Sequence, residues 1–279
     1  MVIMNHVSRH KTIAQGFTVV ELMLAITISG LLLAALYSFY LMQKKTGEIQ
    51  QDVAAVQQDL RGLMQMMAQD IHMAGYAPVD GGEFGFQNDV TFYGNGSGSD
   101  SGIETNAKSI AFTSDMNDLS FTGDAGDKSN GVVDHVNGQN QQEQFAYRWL
   151  ESSVSGVCAN RGCIQRYLPN TASRWQNVAY DIDGLEFLYT LRDGTVTLSP
   201  AATNNLNNIV SVTVSILAKG HSLEQGFSNS ETYRPASCFQ SALTLDPASC
   251  ATAFNNGRPY NDNLRRQMLT FTASCRNRK

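Results

Sequence analysis

Basic residues are the minority charge in this 279-residue chain: Lys and Arg number 20 against 25 Asp and Glu, a formal net charge of −5. That balance argues against a general nucleic-acid binder, which needs a positive field to meet phosphates, and leaves a narrower nucleic-acid contact open. Arg265, Arg266, Arg276, Arg278 and Lys279 do cluster near the C-terminus and read as a solvated tail. Histidine is scarce, and His72, His135 and His221 show no ligand or triad spacing, so surface or core packing accounts for them. The chain lacks a glycine-rich loop ending in lysine, which removes the phosphate cradle of an ATPase. It also lacks a Cys-x-x-Cys pair, which argues against a zinc site. Ser99 and Ser101 sit between glycines, but in a stretch of Gly, Ser, Asn and Asp over residues 94–102 that reads as a loop rather than a nucleophile-bearing turn. No catalytic or cofactor-binding residue is predicted.

What the chain does have is apolar sequence in the right places. With 42% hydrophobic and 16% charged residues it is long enough to bury one sizeable domain or two small ones. Residues 17–42 carry a single full charge, Glu21. As a helix at about 1.5 Å per residue they would run roughly 39 Å, enough to cross a bilayer core of about 30 Å. A carboxylate inside such a segment costs on the order of a few kcal/mol in lipid and persists when it has a partner or a function. An ordinary signal peptide has a shorter apolar core, and a plain signal anchor leaves Glu21 without a reason. Gly30, inside the run, would allow close helix approach or local melting.

From residue 43 the pattern changes. Ile49, Val53, Val56, Leu60, Leu63 or Met64, Met67, Ile71 and Ala74 recur at three- and four-residue steps, while Gln50, Gln51, Asp52, Gln57, Gln58 and Asp59 fill the opposite face. The spacing predicts one helix over 17–74, its second half lying on a globular domain, with Gly75 and Pro78 as the stop. Further on, period-two alternation predicts strands at 109–113, 144–150, 185–191, 210–216 and 269–275. Strands without intervening helical patterns imply an antiparallel sheet, and packing the helix on one face makes the fold α+β. Asp115, Asp118, Asp124, Asp127 and Asp134, among Gly and Asn, are weak calcium candidates; no other metal or cofactor is expected.

Residues 16–22, Gly-Phe-Thr-Val-Val-Glu-Leu behind a leader holding Arg9 and Lys11, resemble the processing site of type IV prepilins and pseudopilins. The resemblance implies cleavage after Gly16 by a prepilin peptidase, N-methylation of Phe17, and an assembly role for Glu21, which would pair with the α-ammonium of a neighbouring subunit. Loss of residues 1–16 removes Arg9, Lys11 and no acid, leaving 18 basic residues against 25 acidic and a net charge of −7. His6 and His10 leave with the leader. A second stretch, 61–76, ending Asp70-Ile71-His72-Met73-Ala74-Gly75-Tyr76, is similar to the helix end of PilW-like minor pilins, as are, more loosely, 181–185, 209–219 and 265–277.

The organisation so implied is a leader (1–16), a transmembrane and filament-core half-helix (17–42), an amphipathic half-helix (43–76) and a β-rich head (77–279). That is a type IV pilin-like fold, single-pass in the inner membrane with its bulk in the periplasm and later in the pilus at the cell surface. The implied function is non-enzymatic: a minor pilin that starts or tips a type IV pilus, serving adhesion, twitching motility or DNA uptake. Its partners would be the prepilin peptidase, other minor pilins, the major pilin and the inner-membrane assembly platform. The alternatives are a minor pseudopilin of a type II secretion system and, from another class, a membrane-anchored periplasmic hydrolase. In an oxidising compartment the five cysteines can form disulfides. The simplest pairing is two local bridges, Cys158 with Cys163 and Cys238 with Cys250, among several connectivities, with Cys275 as a buried thiol.

Overall fold

The structure is a computed structural model, describing residues 16–76, 85–88, 103–114, 144–151, 157–158, 161–167, 175–203, 205–240 and 254–276. The chain divides into two compact units, residues 1–50 and residues 51–279. The long helix α1, Val19–Met73, runs through the division.

In the first unit every described residue up to Thr46 is exposed, including Leu22, Ile26, Leu31, Leu36 and Phe39. An apolar helix with no buried face has no protein core of its own, and this one is long and apolar enough to span a membrane. Three of its hydroxyls are satisfied within the helix. Thr27 Oγ1 donates to the Met23 carbonyl (2.8 Å), Ser38 Oγ to Ala34 (3.0 Å) and Thr46 Oγ1 to Met42 (3.0 Å). Lipid offers hydroxyls no partner, so this back-bonding makes them tolerable there.

In the second unit α1 becomes one-sided. Val56, Leu60, Leu63, Met67 and Ile71 are buried, the last two completely, in the expected three- and four-residue rhythm. Each such side chain contributes about 1.5–3 kcal/mol on burial. The helix ends at Met73, a residue short of the predicted limit, because Ala74 and Tyr76 close tighter turns onto Ile71 and Met73. Gly75 then takes φ 72° and donates its N–H to Thr113 at 2.9 Å, tying the helix end to the first strand.

Two antiparallel sheets stand where one was expected. The first has β1 (Ser109–Thr113), β2 (Gln144–Leu150), β3 (Cys163–Tyr167) and β4 (Trp175–Tyr180) in chain order. The second has β5 (Ile182–Leu191), β6 (Val196–Thr197), β7 (Ile209–Lys219) and β8 (Arg266–Ser274), in the order β6-β5-β7-β8. β3 and β4 escaped the sequence reading because polar residues interrupt their apolar alternation. Gln165, 2% exposed, accepts from Arg148 Nε (2.9 Å) and donates to Asn177 Oδ1 (2.7 Å), so a hydrogen-bonded row replaces the apolar alternation.

Asp181 alone separates β4 from β5, and its positive φ of 58° turns the chain from one sheet into the other. One core joins the α1 stripe to both sheets through Ile110, Phe112, Phe145, Tyr147 and Ile164 of the first and Phe187, Tyr189, Val212, Val214 and Ile216 of the second.

Candidate functional site

The chemistry-bearing end of the chain is its N-terminal segment. Gly16, Phe17 and Thr18 precede the first turn of α1, Phe17 is 89% exposed, and nothing lies within 4 Å of where a Cβ on Gly16 would stand. The Gly16–Phe17 peptide is therefore outside the helix and unobstructed by described residues. Thr18 is the helix cap: the Leu22 N–H reaches its carbonyl at 3.2 Å. The Thr18 N–H and hydroxyl both donate to Glu21 Oε2 at 2.9 Å, and the Glu21 N–H returns a 3.3 Å bond to the Thr18 hydroxyl.

This reciprocal arrangement is a capping box. The sequence reading missed it, although Thr-x-x-Glu before an apolar run is its signature. It changes the account of Glu21: the carboxylate has a partner inside its own chain. Only Oε2 is engaged, however, and among the described residues Oε1 has none. One carboxylate thus caps its own helix and still presents an oxygen to an external cation.

In the head, the structure brings together residues that the sequence left scattered. Asp70, in the motif that closes the long helix, receives Arg166 through Nε (2.9 Å) and Nη2 (3.1 Å), and the Tyr147 hydroxyl besides. Burial raises the Asp70 carboxyl above its ordinary value, against the lowering from Tyr147 and Arg166. Tyr147, wholly buried, is pushed up by burial and then by Asp70.

A second cluster lies where the two sheets meet. The Asp181 side chain, 7% exposed, pairs bidentately with Arg161 and lies 2.6 Å from His221 Nδ1. Asp183 accepts Lys219 Nζ at 3.1 Å and Arg266 Nε at 2.7 Å, and Arg266 also clasps Asp262 at 2.6 and 2.7 Å. Those bonds hold Asp262 below the usual carboxylate range. Arg266 is 7% exposed and ion-paired, so it is a structural ion and not part of a solvated tail, while Arg265 is exposed and pairs with Glu224 at 2.6 Å. The burial of Arg266 follows from β8 lying beside β7, which no local pattern announces.

Cys158 and Cys163 are joined as expected, Cα to Cα 5.7 Å. Cys238 is disulfide-bonded, and Cys250 lies outside the described residues. Cys275 is a buried thiol just past β8. The calcium candidates Asp115, Asp118, Asp124 and Asp127, with Asp134 and His135, also lie outside the described residues. Among the described residues no three His, Cys, Asp or Glu side chains gather as a metal site.

Comparison with known proteins adds two sequence matches. Residues 50–221 match the family described as prepilin peptidase-dependent protein B, and residues 12–37 match the prokaryotic N-terminal methylation motif. No curated protein matches. Among solved structures, a type IV-like pilin from Thermus thermophilus aligns over 80% of this chain and 97% of its own, with 12% identity and a TM-score of 0.40.

Proposed function

Because this chain belongs to the prepilin peptidase-dependent protein B family, we propose that it is a minor pilin of the PilW-like kind, a non-enzymatic subunit that starts or tips a type IV pilus. The observation that carries the reading is the half-engaged Glu21 at the head of an apolar helix that carries no second charge up to Met42. Cleavage of the exposed Gly16–Phe17 bond frees an α-ammonium on Phe17 and leaves the capping box whole, since Thr18 and Glu21 both stay in the mature chain.

In a bundle of such helices the open Oε1 of one subunit meets the ammonium of the next. Two charges that are each costly in a low-dielectric interior become tolerable as a pair. Residues 17–42 then move from the inner membrane into the filament core, and the β-rich head stays on the periplasmic side and afterwards at the filament surface or tip. Its partners are the prepilin peptidase, the major pilin, other minor pilins and the assembly platform.

Mass analysis of the N-terminus of the membrane-extracted protein tests this. The expected first residue is methylated Phe17; an intact residue 1–16 leader sinks the reading. Deletion then separates the machines: loss of surface pili supports a pilus subunit, whereas loss of secreted enzymes with pili intact assigns the chain to a type II secretion system.

A further inference from the structure

The long helix is supported unevenly along its length. Up to Met42 it is an apolar segment of membrane-spanning length, and bilayer hydrocarbon offers no partner to a backbone group released from a helix. Over residues 56–71 its inner face is buried in the head, so opening it there would also uncover apolar side chains. Asp52 adds a polar hold just before that stripe: its two carboxylate oxygens accept the N–H groups of His221 (3.3 Å) and Ser222 (3.1 Å).

Residues 43–51 have neither kind of support. None of them is buried, and Gly47 stands at their centre. Glycine in a helix interior costs the helix more than any residue except proline. Nothing lies within 4 Å of where a Cβ on Gly47 would stand, so no close approach among the described residues requires it. Beside it the Thr46 hydroxyl donates to the Met42 carbonyl at 3.0 Å, competing for the acceptor that the helix assigns to the Thr46 N–H. Thr46 and Ile49 are also β-branched, which lowers helix propensity further. The Lys44–Glu48 pair that spans Gly47 is 3.8 Å long with side chains 60% and 62% exposed, a pair that water and salt weaken.

We propose that residues 43–51 are a joint in α1, where the helix opens and recloses while the segments on either side stay helical. A turn opened here hands its N–H and C=O groups to water. A turn opened on either side leaves them in hydrocarbon or parts the helix from the core. Such a joint lets the head change direction on a helix that lipid, or a bundle of like helices, holds fixed. It rests on the membrane reading of residues 17–42 and not on which machine the chain serves.

The test is hydrogen exchange, read by mass spectrometry, on the full-length chain in a bilayer disc of phosphatidylethanolamine and phosphatidylglycerol. The amides of residues 47–51 should exchange about tenfold faster, or more, than those of 26–42 and 60–71. Gly47→Ala should slow the central amides about fivefold while leaving the flanking amides and the melting temperature of the head unchanged. Gly62→Ala, the same substitution in the part of the helix that the head grips, should leave the amides of 47–51 as they are. Central amides as protected as the flanking ones, or fast central exchange that Gly47→Ala does not slow, overturns the joint. Fast exchange extending through 26–42 overturns it together with the membrane reading of that span.

Discussion

The Tyr147 hydroxyl donates to the Asp70 carboxylate, joining the last turns of the long helix to the second strand of the first sheet. Arg166 completes the group from the neighbouring strand β3. Helix burial rests mainly on apolar side chains, which resist separation without fixing one rotational setting. A bidentate guanidinium and a phenol on one carboxylate supply direction as well.

Asp70→Asn should therefore be costly despite its near-identical shape. It leaves Arg166, whose side chain is 20% exposed, without its counter-ion, and removing one member of such a pair costs about 3 kcal/mol. Tyr147→Phe, losing one hydrogen bond, should cost about 1–2 kcal/mol. Denaturant melts of the two variants measure this; equal and small effects would show that packing alone sets the helix.

The same carboxyl and Asp262 should act oppositely in acid. Asp262 is held below its ordinary value of 3.8 by Arg266, so it stabilises the fold above that pH and the contribution disappears as pH falls through its lowered folded value. Asp70 is raised above 3.8 by burial, so in the window above 3.8 the folded state holds the extra proton and this group's contribution declines as pH rises. Melting temperatures from pH 2 to 6 should show Asp262→Asn flattening the loss of stability in acid, and Asp70→Asn leaving that loss as steep or steeper.

Gly162 approaches the β4–β5 turn too closely for any side chain. A Cβ there would stand 1.8 Å from the Ile182 carbonyl oxygen, and that backbone is held by the Ile182 N–H bond to the Gly162 carbonyl at 3.0 Å. Gly162→Ala should destabilise the head by about 3 kcal/mol or more and loosen Arg161 from Asp181. Gly30→Ala, with nothing within 4 Å, should leave the isolated chain's stability unchanged or slightly higher, by up to about 1 kcal/mol. Parallel thermal melts make the comparison.

At the N-terminus, Thr18→Ala removes the cap and should cost about 1 kcal/mol of local helix stability while Glu21 keeps its charge. Glu21→Ala removes both the box and the open oxygen. We predict that both variants insert and lose residues 1–16, that Thr18→Ala enters filaments at a reduced level, and that Glu21→Ala does not enter them. Immunoblots of sheared surface fibres would read this, and normal fibre entry by Glu21→Ala would remove the basis of the proposed assembly chemistry.

Much of this was legible in one dimension because it depends on near neighbours. The apolar run before Met42, the three- and four-residue stripe from Val56 to Ile71, the Gly75 stop and the alternation in β7 each announce an element within a few residues. The capping box is equally local, but its Thr-x-x-Glu spacing is masked by the more conspicuous feature of a charge inside an apolar run. β3 and β4 were hidden by the buried Gln165 and the half-buried Asn177, whose inward placing makes sense only once each faces the other.

By itself, then, the order of residues determined that there would be a long helix with two characters, a cleavable approach to it, and an alternating β region behind. Periodicity and capping act over one or two turns, and the residues involved sit side by side in the chain. Only the tertiary structure decided that the strands divide into two sheets at Asp181, that Asp70 is clasped by Arg166 and Tyr147, that Arg266 is a buried ion between Asp183 and Asp262, and that β8 is the last strand of its sheet among the described residues. Each of those depends on which distant segments lie next to one another, and that is settled by the packing of the whole core.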